Sequence, residues 1–227
     1  MDNMDTMKSG RVLVTSGPTR AWFDKVRHIA NTSSGALGAR IVEALTVAGY
    51  TTTHLFGAGS VQPLSAVPGL FESIETSTVE DVITAARGIL ARGDVKAIVH
   101  AMAVLDYAPE ARLGEKKKSG DDIWDVRLVR TPKIIALMRE AAPEAFFVGF
   151  KLESGVAEAE LVARAKILLD RHRLDAVVAN DLDRIGDGRH EALIVGPGGD
   201  ILARPQTKES IAVEIVRLIR ENTPPSG

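Results

Sequence analysis

Apolar positions along the chain follow two rhythms, and each predicts an element. Short runs rich in β-branched residues read as strands: RVLVTSG (11–17), TTTHLFG (51–57), FESIET (71–76), KAIVHAM (96–102), AFFVGF (145–150) and DAVVAN (175–180). Longer stretches with apolar residues three and four apart read as helices. These are ALGARIVEALTVAGY (36–50), with Ile41, Leu45 and Ala48 on one face, then TVEDVITAARGILARG (78–93), TPKIIALMREA (131–141), ELVARAKILLDRHR (160–173) and TKESIAVEIVRLIREN (207–222). A polar insert occupies residues 107–124 and precedes VRLV (126–129), while EALIVGPGGDILARP (191–205) has the pattern of a hairpin turning at Pro-Gly-Gly-Asp.

Strand alternating with helix predicts an α/β fold: a Rossmann-like, mainly parallel sheet with helices on both faces and a small antiparallel addition near the C-terminus. No linker, repeat or low-complexity block divides the chain. A single domain over 11–222 is expected, with a flexible N-terminus at 1–10 and a flexible tail at 223–227.

Composition narrows the chemistry. With 227 residues, 45% of them hydrophobic, the chain can bury a sizeable core. A formal net charge of −2 with interspersed signs argues against a nucleic-acid partner, so any anion site must be local. There is no cysteine, which removes disulfides, thiolate metal sites and cysteine nucleophiles, and the five His show no close pair at metal-ligand spacing. No protein-held metal is expected. No run reaches the about 20 apolar residues of a membrane span, and MDNMDTMKSG lacks a secretory pattern, so no membrane partner and a cytoplasmic location are expected.

In a sheet of this kind ligands bind beyond the carboxyl ends of the strands, and three such ends carry unusual residues. After the first strand, TSGPTR (15–20) leads to HIANTSSGALGAR (28–40). Ser33 or Ser34 there can cap the helix, Gly35 and Gly38 admit a ligand or a strand, and free N–H groups suit a phosphate. Asn31 can donate to and accept from a reacting acyl group. The same residues also describe a capped helix with glycines for close packing. The second end, HAMAVLDYAPEARLGEKKKSG (100–120), offers Asp106 for a ribose hydroxyl or a metal-bound phosphate. It also carries Lys116, Lys117 and Lys118 on a loop that Gly114 and Gly120 allow to close; three adjacent lysines equally suit a solvated turn. The third, VGFKLES, groups Gly149, Phe150, Lys151 and Glu153, where Phe150 can stack on a base or simply fill the core.

A dinucleotide site is disfavoured. Residues 18–35 separate the first strand from its helix, far from the tight Gly-rich turn of that fingerprint, and the second strand ends in THLFGAG with His54 and no acid for a ribose.

Taken together, the ordered segments TSGPTR, D.VR.IAN.SSGALG, AMAVLDY, EKKK, VGFKLE and DAVVANDL resemble one family, the phosphopantothenoylcysteine synthetases, from about Arg11 to the last helix. VGFKLES, with Lys151, is similar to the stand-alone forms, and the resemblance implies a chain without the flavin-dependent decarboxylase and without flavin. It further implies a ligase of coenzyme A biosynthesis. The carboxylate of 4'-phosphopantothenate attacks the α-phosphate of a nucleoside triphosphate carrying Mg²⁺, and cysteine then displaces the nucleotide to form an amide.

By the same resemblance Asn31 contacts the acyl-nucleotide, Arg27 serves the cysteine-dependent step and Lys116 meets the triphosphate. Ala103 and Asp106 lie against substrate and ribose, Phe150 borders the base, and Gly17, Ser33, Ser34, Gly35, Lys151 and Lys166 complete the nucleotide-binding set. Relatives are homodimers whose Lys flap reaches a neighbouring site, so a homodimer is expected.

Some segments depart from the family pattern. Ser119 stands where the flap has a last Lys, PKI carries Lys133 where an acid is usual, and AWFD (21–24) replaces a Glu-Pro turn. These leave open a same-fold amide ligase acting on a different acid or amine, or a non-catalytic nucleotide-binding protein. Between nucleotides, CTP is expected over ATP.

Overall fold

The strand signals assemble into one central sheet. The computed structural model describes residues 10–120, 122–186 and 188–223. Its first half runs β1 (Arg11–Ser16), β2 (Arg20–Trp22), β3 (His28–Ala30), α1 (Ala36–Val47), β4 (Thr52–Gly57), β5 (Phe71–Thr76), α2 (Val79–Leu90), β6 (Val95–His100) and β7 (Tyr107–Pro109). There follow β8 (Leu128–Arg130), α3 (Ile134–Ala141), β9 (Phe146–Glu153), α4 (Glu158–His172), β10 (Ala176–Gly186), β11 (Arg189–Val195), β12 (Ile201–Ala203) and α5 (Lys208–Asn222). The expected flexible ends lie outside the described residues, apart from Gly10 and Thr223. Thr223 extends the bonding of α5, its N–H donating to Ile219 O and its own carbonyl accepting from the Tyr50 hydroxyl at 3.3 Å.

Eight strands pair in the order β12-β11-β10-β9-β6-β1-β4-β5. Those from β10 to β5 are mutually parallel, while β11 and β12 add the antiparallel edge around a 3₁₀ turn at Pro197–Gly199, where the Pro-Gly-Gly-Asp signal put it. β1 is the first strand laid down, and the chain builds outward from it in both directions. The topological switch point therefore falls between the carboxyl ends of β1 and β6.

Residue alternation along the strands decides the two layers. Leu13, Leu55, Ile98, Phe147 and Val177 face α2, α3 and α4, whereas Val12, Val14, Val99, Val148 and Val178 face α1 and α5. Both faces are closed, as near-continuous apolar strands require. Fully buried leucines such as Leu45 carry much of this stability, since truncating one to Ala costs about 2–5 kcal/mol. α2 and α5 each start on a capping box, Thr78 with Asp81 and Thr207 with Ser210. α3 begins only at Ile134, three residues later than the apolar pattern predicts: Pro132 disfavours helical backbone at Thr131, and Lys133 is the extended N-cap, at φ −82° and ψ 98°. No helix among the described residues is long and apolar enough to cross a membrane.

Two histidines lie buried beneath the carboxyl end of the sheet. His54 Nε2 meets Ser16 Oγ at 2.8 Å and its Nδ1 has no partner among the described residues, while His100 Nδ1 meets Thr15 Oγ1 at 2.6 Å. Burial pushes both imidazoles down from 6.5 to about 4, helped for His100 by the nearby His172. In the unfolded chain they take up protons near pH 6.5, so stability is full above that value, falls as the pH drops toward 4 and levels off below. Each shift corresponds to about 3 kcal/mol at most. Urea unfolding should show this loss between pH 7 and 4, with His54 and His100 ring resonances that do not titrate above pH 5; either one titrating near 6.5 would contradict the buried neutral pair.

Candidate functional site

At the switch point the two departing loops are laced together by main-chain bonds. Ala101 N donates to Thr15 O at 2.9 Å, Ala103 N to Gly17 O at 2.8 Å and Thr19 N to Ala103 O at 3.2 Å, and the Thr19 hydroxyl accepts from Leu105 N at 2.9 Å. The segment 17–19 thus extends β1 beside 101–105, and Pro18 bridges Ala103 in the parallel sense. Gly17 and Ala103 thus face each other across this seam.

The amino end of α1 opens beside it. Here the sequence reading needs correction: neither Ser33 nor Ser34 caps the helix. Gly35 holds the N-cap position with φ +71° and no side-chain cap bond, so Ser34 falls one residue too early, and its hydroxyl comes only within 3.4 Å of Ala36 N. α1 also lacks an acidic residue in its first turn, unlike α2 and α5. Beyond Ala36 N, which reaches Ser34 Oγ, the first-turn N–H groups take no capping side chain and, with the dipole, are open to another acceptor. Gly38 seats the helix on the sheet, since a Cβ there would lie 2.1 Å from Ser16 Cβ.

Asn31 is exposed and donates through Nδ2 to Val104 O at 3.0 Å, which brings it against the second loop. Two residues on, Asp106 is fixed by its backbone, its carbonyl accepting from Thr131 N at 3.0 Å. Its carboxylate is engaged by Lys133, with Nζ 2.6 Å from Oδ1. Lys133, noted in the sequence as a departure, is therefore paired with Asp106. Both side chains are exposed, so the pair is a weak tie that a ligand can break.

Arg27 sits on a different support. Asp24, fully buried, accepts at Oδ1 from Val26 N and Arg27 N, both at 2.8 Å, and at Oδ2 from Arg27 Nη1 at 3.0 Å and Lys117 N at 3.1 Å. Burial alone would raise the Asp24 carboxyl, but three main-chain N–H groups and the Arg27 charge outweigh it and hold it below its ordinary value. Lys117 also returns a bond, its carbonyl accepting from Arg27 Nη1 at 3.3 Å. The Lys-bearing segment is consequently a two-stranded flap, β7 paired with β8, fastened at its far end to the β2–β3 turn. Leu113 N donating to Phe23 O at 2.8 Å and the Lys25–Glu115 ion pair at 2.6 Å fasten it further. Lys116, exposed on this flap, is carried to the Arg27 side of the seam.

Phe150 and Lys151 follow Gly149, which pairs with His100, so they stand at the same carboxyl edge of the sheet as Ala101 and Gly17. The pleat of β9 sends Phe150 toward the α1 and α5 face, while Lys151 follows Gly149 to the opposite face and pairs with Glu153 at 2.9 Å. Lys166 lies mid-helix on α4, bonded to Asp170 at 2.8 Å and against the Pro197–Gly199 turn. That turn follows Val195, which pairs with Val177 near the start of β10, so Lys166 belongs to the opposite end of the sheet. Among the described residues no three His, Asp or Glu side chains cluster as a metal site. Sequence reading quoted Asp24 only within AWFD and as the first residue of D.VR.IAN, without a role, and did not single out Trp124. Asp24 carried a usable signal, an acid whose side chain bonds the N–H groups two and three residues on; Trp124, far away in the flap, carried none.

Comparison with known proteins agrees with this architecture. The family profile described as DNA/pantothenate metabolism flavoprotein C-terminal domain matches residues 7–222. The coenzyme A biosynthesis bifunctional protein CoaBC of Thermococcus kodakarensis is 36% identical over 192 residues, covering 84% of this chain and 46% of that protein. The chain spans about half the length of the curated relatives it matches. Among solved structures, the DNA/pantothenate metabolism flavoprotein from Streptococcus pneumoniae superposes with a TM-score of 0.85 at 30% identity, covering 94% of this chain and 99% of that one. A Cab2 mutant in complex with phosphopantothenate-cysteine shares the fold, with a TM-score of 0.74 at 20% identity over 95% of this chain and 88% of that one.

The buried carboxylate generates a direct test. Asp24→Ala should release the flap, so that trypsin cleaves after Lys116–Lys118 several-fold faster in the folded protein. Because its carboxyl is held low, the wild-type flap should stay fastened at neutral pH and loosen only as the pH falls through that lowered value. An unchanged cleavage rate in the variant would mean that other contacts hold the flap.

Proposed function

The chain belongs to the DNA/pantothenate metabolism flavoprotein C-terminal domain family, and from that premise we propose that it joins 4'-phosphopantothenate to cysteine in coenzyme A biosynthesis. The observation that carries this reading is the uncapped amino end of α1 opening at the switch point beside Asn31. Relatives named for coenzyme A biosynthesis support the same assignment.

The reaction has two displacements. In the first, the acid's carboxylate attacks the α-phosphate and pyrophosphate departs; in the second, the cysteine amine forms the C–N bond, the acyl C–O bond breaks and the nucleoside monophosphate leaves. Mg²⁺ enters with the triphosphate as part of the substrate, with CTP preferred to ATP. The first-turn N–H groups of α1, with Gly17, Ser33, Ser34 and Gly35 around them, are suited to phosphate oxygens, and Lys116 supplies a mobile positive charge. Asp106 is suited to the ribose hydroxyls once Lys133 yields, with Ala103 as the small residue beneath.

Asn31, bonded at present to Val104 O, can turn its amide toward the acyl group, where a fixed dipole stabilises the developing oxyanion. Arg27 serves the amine-dependent step. Phe150 bordering the base and Lys151 at the nucleotide enter the proposal through resemblance, whereas Lys166, at the other end of the sheet, is left out of it. A homodimer in the cytoplasm belongs to the same reading, supported by apolar side chains exposed on the flap, among them Leu113, Ile123 and Val126.

Pyrophosphate release with Mg²⁺, 4'-phosphopantothenate and CTP or ATP, with and without cysteine, tests the assignment. Asn31→Ala should lower amide formation by about a hundredfold while leaving cysteine-independent pyrophosphate release detectable. No turnover with either nucleotide would sink the proposal. The rim pair gives opposite signs in its two variants. Asp106→Ala should raise the nucleotide KM about tenfold, whereas Lys133→Met, which removes the competing donor, should lower it by about threefold. A rise in both would show that the pair binds as a unit.

A further inference from the structure

We propose that Trp124 is a positioning residue for Arg27, orienting the guanidinium toward the carboxylate of the incoming amino acid. The proposal rests on the ligase reading above for the step it serves, but its geometry is independent of it.

Both polar contacts of the Arg27 side chain converge on one nitrogen. Nη1 donates to Asp24 Oδ2 at 3.0 Å and to Lys117 O at 3.3 Å, while Nη2 and Nε make no hydrogen bond among the described residues. The head group is thus tethered at a single corner, about which it can swing. Trp124 limits that freedom, because the guanidinium carbon of Arg27 sits over its ring, 5.4 Å from the centroid. The ring is set in turn by Phe23, whose edge-on contact holds the two centroids 5.8 Å apart. Phe23 and Arg27 belong to one closed turn, with Phe23 N donating to Arg27 O at 2.9 Å. Two residues of that turn therefore grip the indole that arrives from the flap.

With the guanidinium held over an aromatic ring and tied at Nη1, the Nη2–Nε edge of Arg27 is left to donate to a ligand. A planar edge of this kind fits a carboxylate through two parallel bonds. An amino acid held so presents its amine a fixed distance from the bound carboxylate, which is what the second displacement requires. Arg27 is half-exposed, so a ligand can reach this edge.

Two measurements test the assignment. Trp124→Leu should leave cysteine-independent pyrophosphate release at the wild-type rate and raise the KM for cysteine about tenfold, with Trp124→Phe, which keeps a weaker aromatic face, recovering most of that loss. A wild-type KM for cysteine in Trp124→Leu, or an equal fall in both steps, overturns the proposal. The chain has two tryptophans, Trp22 and Trp124, so Trp22→Phe leaves Trp124 as the sole indole emitter. In that background Arg27→Ala should shift the Trp124 emission and increase its quenching by acrylamide; unchanged emission overturns the contact itself. A wild-type chain that forms no amide with cysteine would refute the ligase reading, while the emission experiment would still decide the Arg27–Trp124 geometry.

Discussion

The parallel pairing of β1 with both β4 and β6 is the constraint on which the rest of the molecule hangs. Because helices on opposite faces return the chain to either side of β1, the loops leaving β1 and β6 diverge, and a crevice opens where they part. Backbone bonds between Thr15, Gly17 and Thr19 on one side and Ala101, Ala103 and Leu105 on the other then fix how far they separate. Asn31, Asp106 and the start of α1 take their places from this seam. None of them is held by a side-chain network of its own comparable to the one around Asp24.

The molecule consequently combines two kinds of support. The floor is rigid: apolar strands covered on both faces, with Ser16 and Gly38 in direct apposition and two neutral histidines sealed beneath. The rim is assembled from pieces carried by other parts of the chain, namely the β2–β3 turn and the β7–β8 flap. Asp24 is the point where these pieces join, and it lies in the interior although the groups it organises are at the surface. Burying a carboxylate is costly unless its lone pairs are filled, and the four donors around Asp24 fill them.

Much of the sheet was legible in the sequence because its information is local. Period-two runs such as RVLVTSG and period-3.6 runs such as the α5 segment state their own element, and the Pro-Gly-Gly-Asp turn states its hairpin. What was not legible depends on distance. Ser33 and Ser34 look like caps, yet Gly35 takes the left-handed conformation and moves the helix start past them. β10 runs on through Gly186, beyond the end of DAVVAN, because β11 pairs with its polar extension, which no apolar pattern announces. Lys133 beside Asp106 and Trp124 over Arg27 join residues far apart in sequence, and neither pair leaves a periodic trace.

The way Lys117 is held has a consequence for how this flap can vary. Its attachment to Asp24 and Arg27 runs through its own N–H and carbonyl, so these bonds place no demand on the side chain. These two ties therefore survive any exchange at 117 that keeps the N–H, proline excepted. Spacing is different. A residue gained or lost between Lys117 and Trp124 would slide one grip out of register with the other. Chain length between Lys117 and Trp124 is thus constrained in its own right, alongside the Glu115 and Trp124 side chains that also fasten the flap.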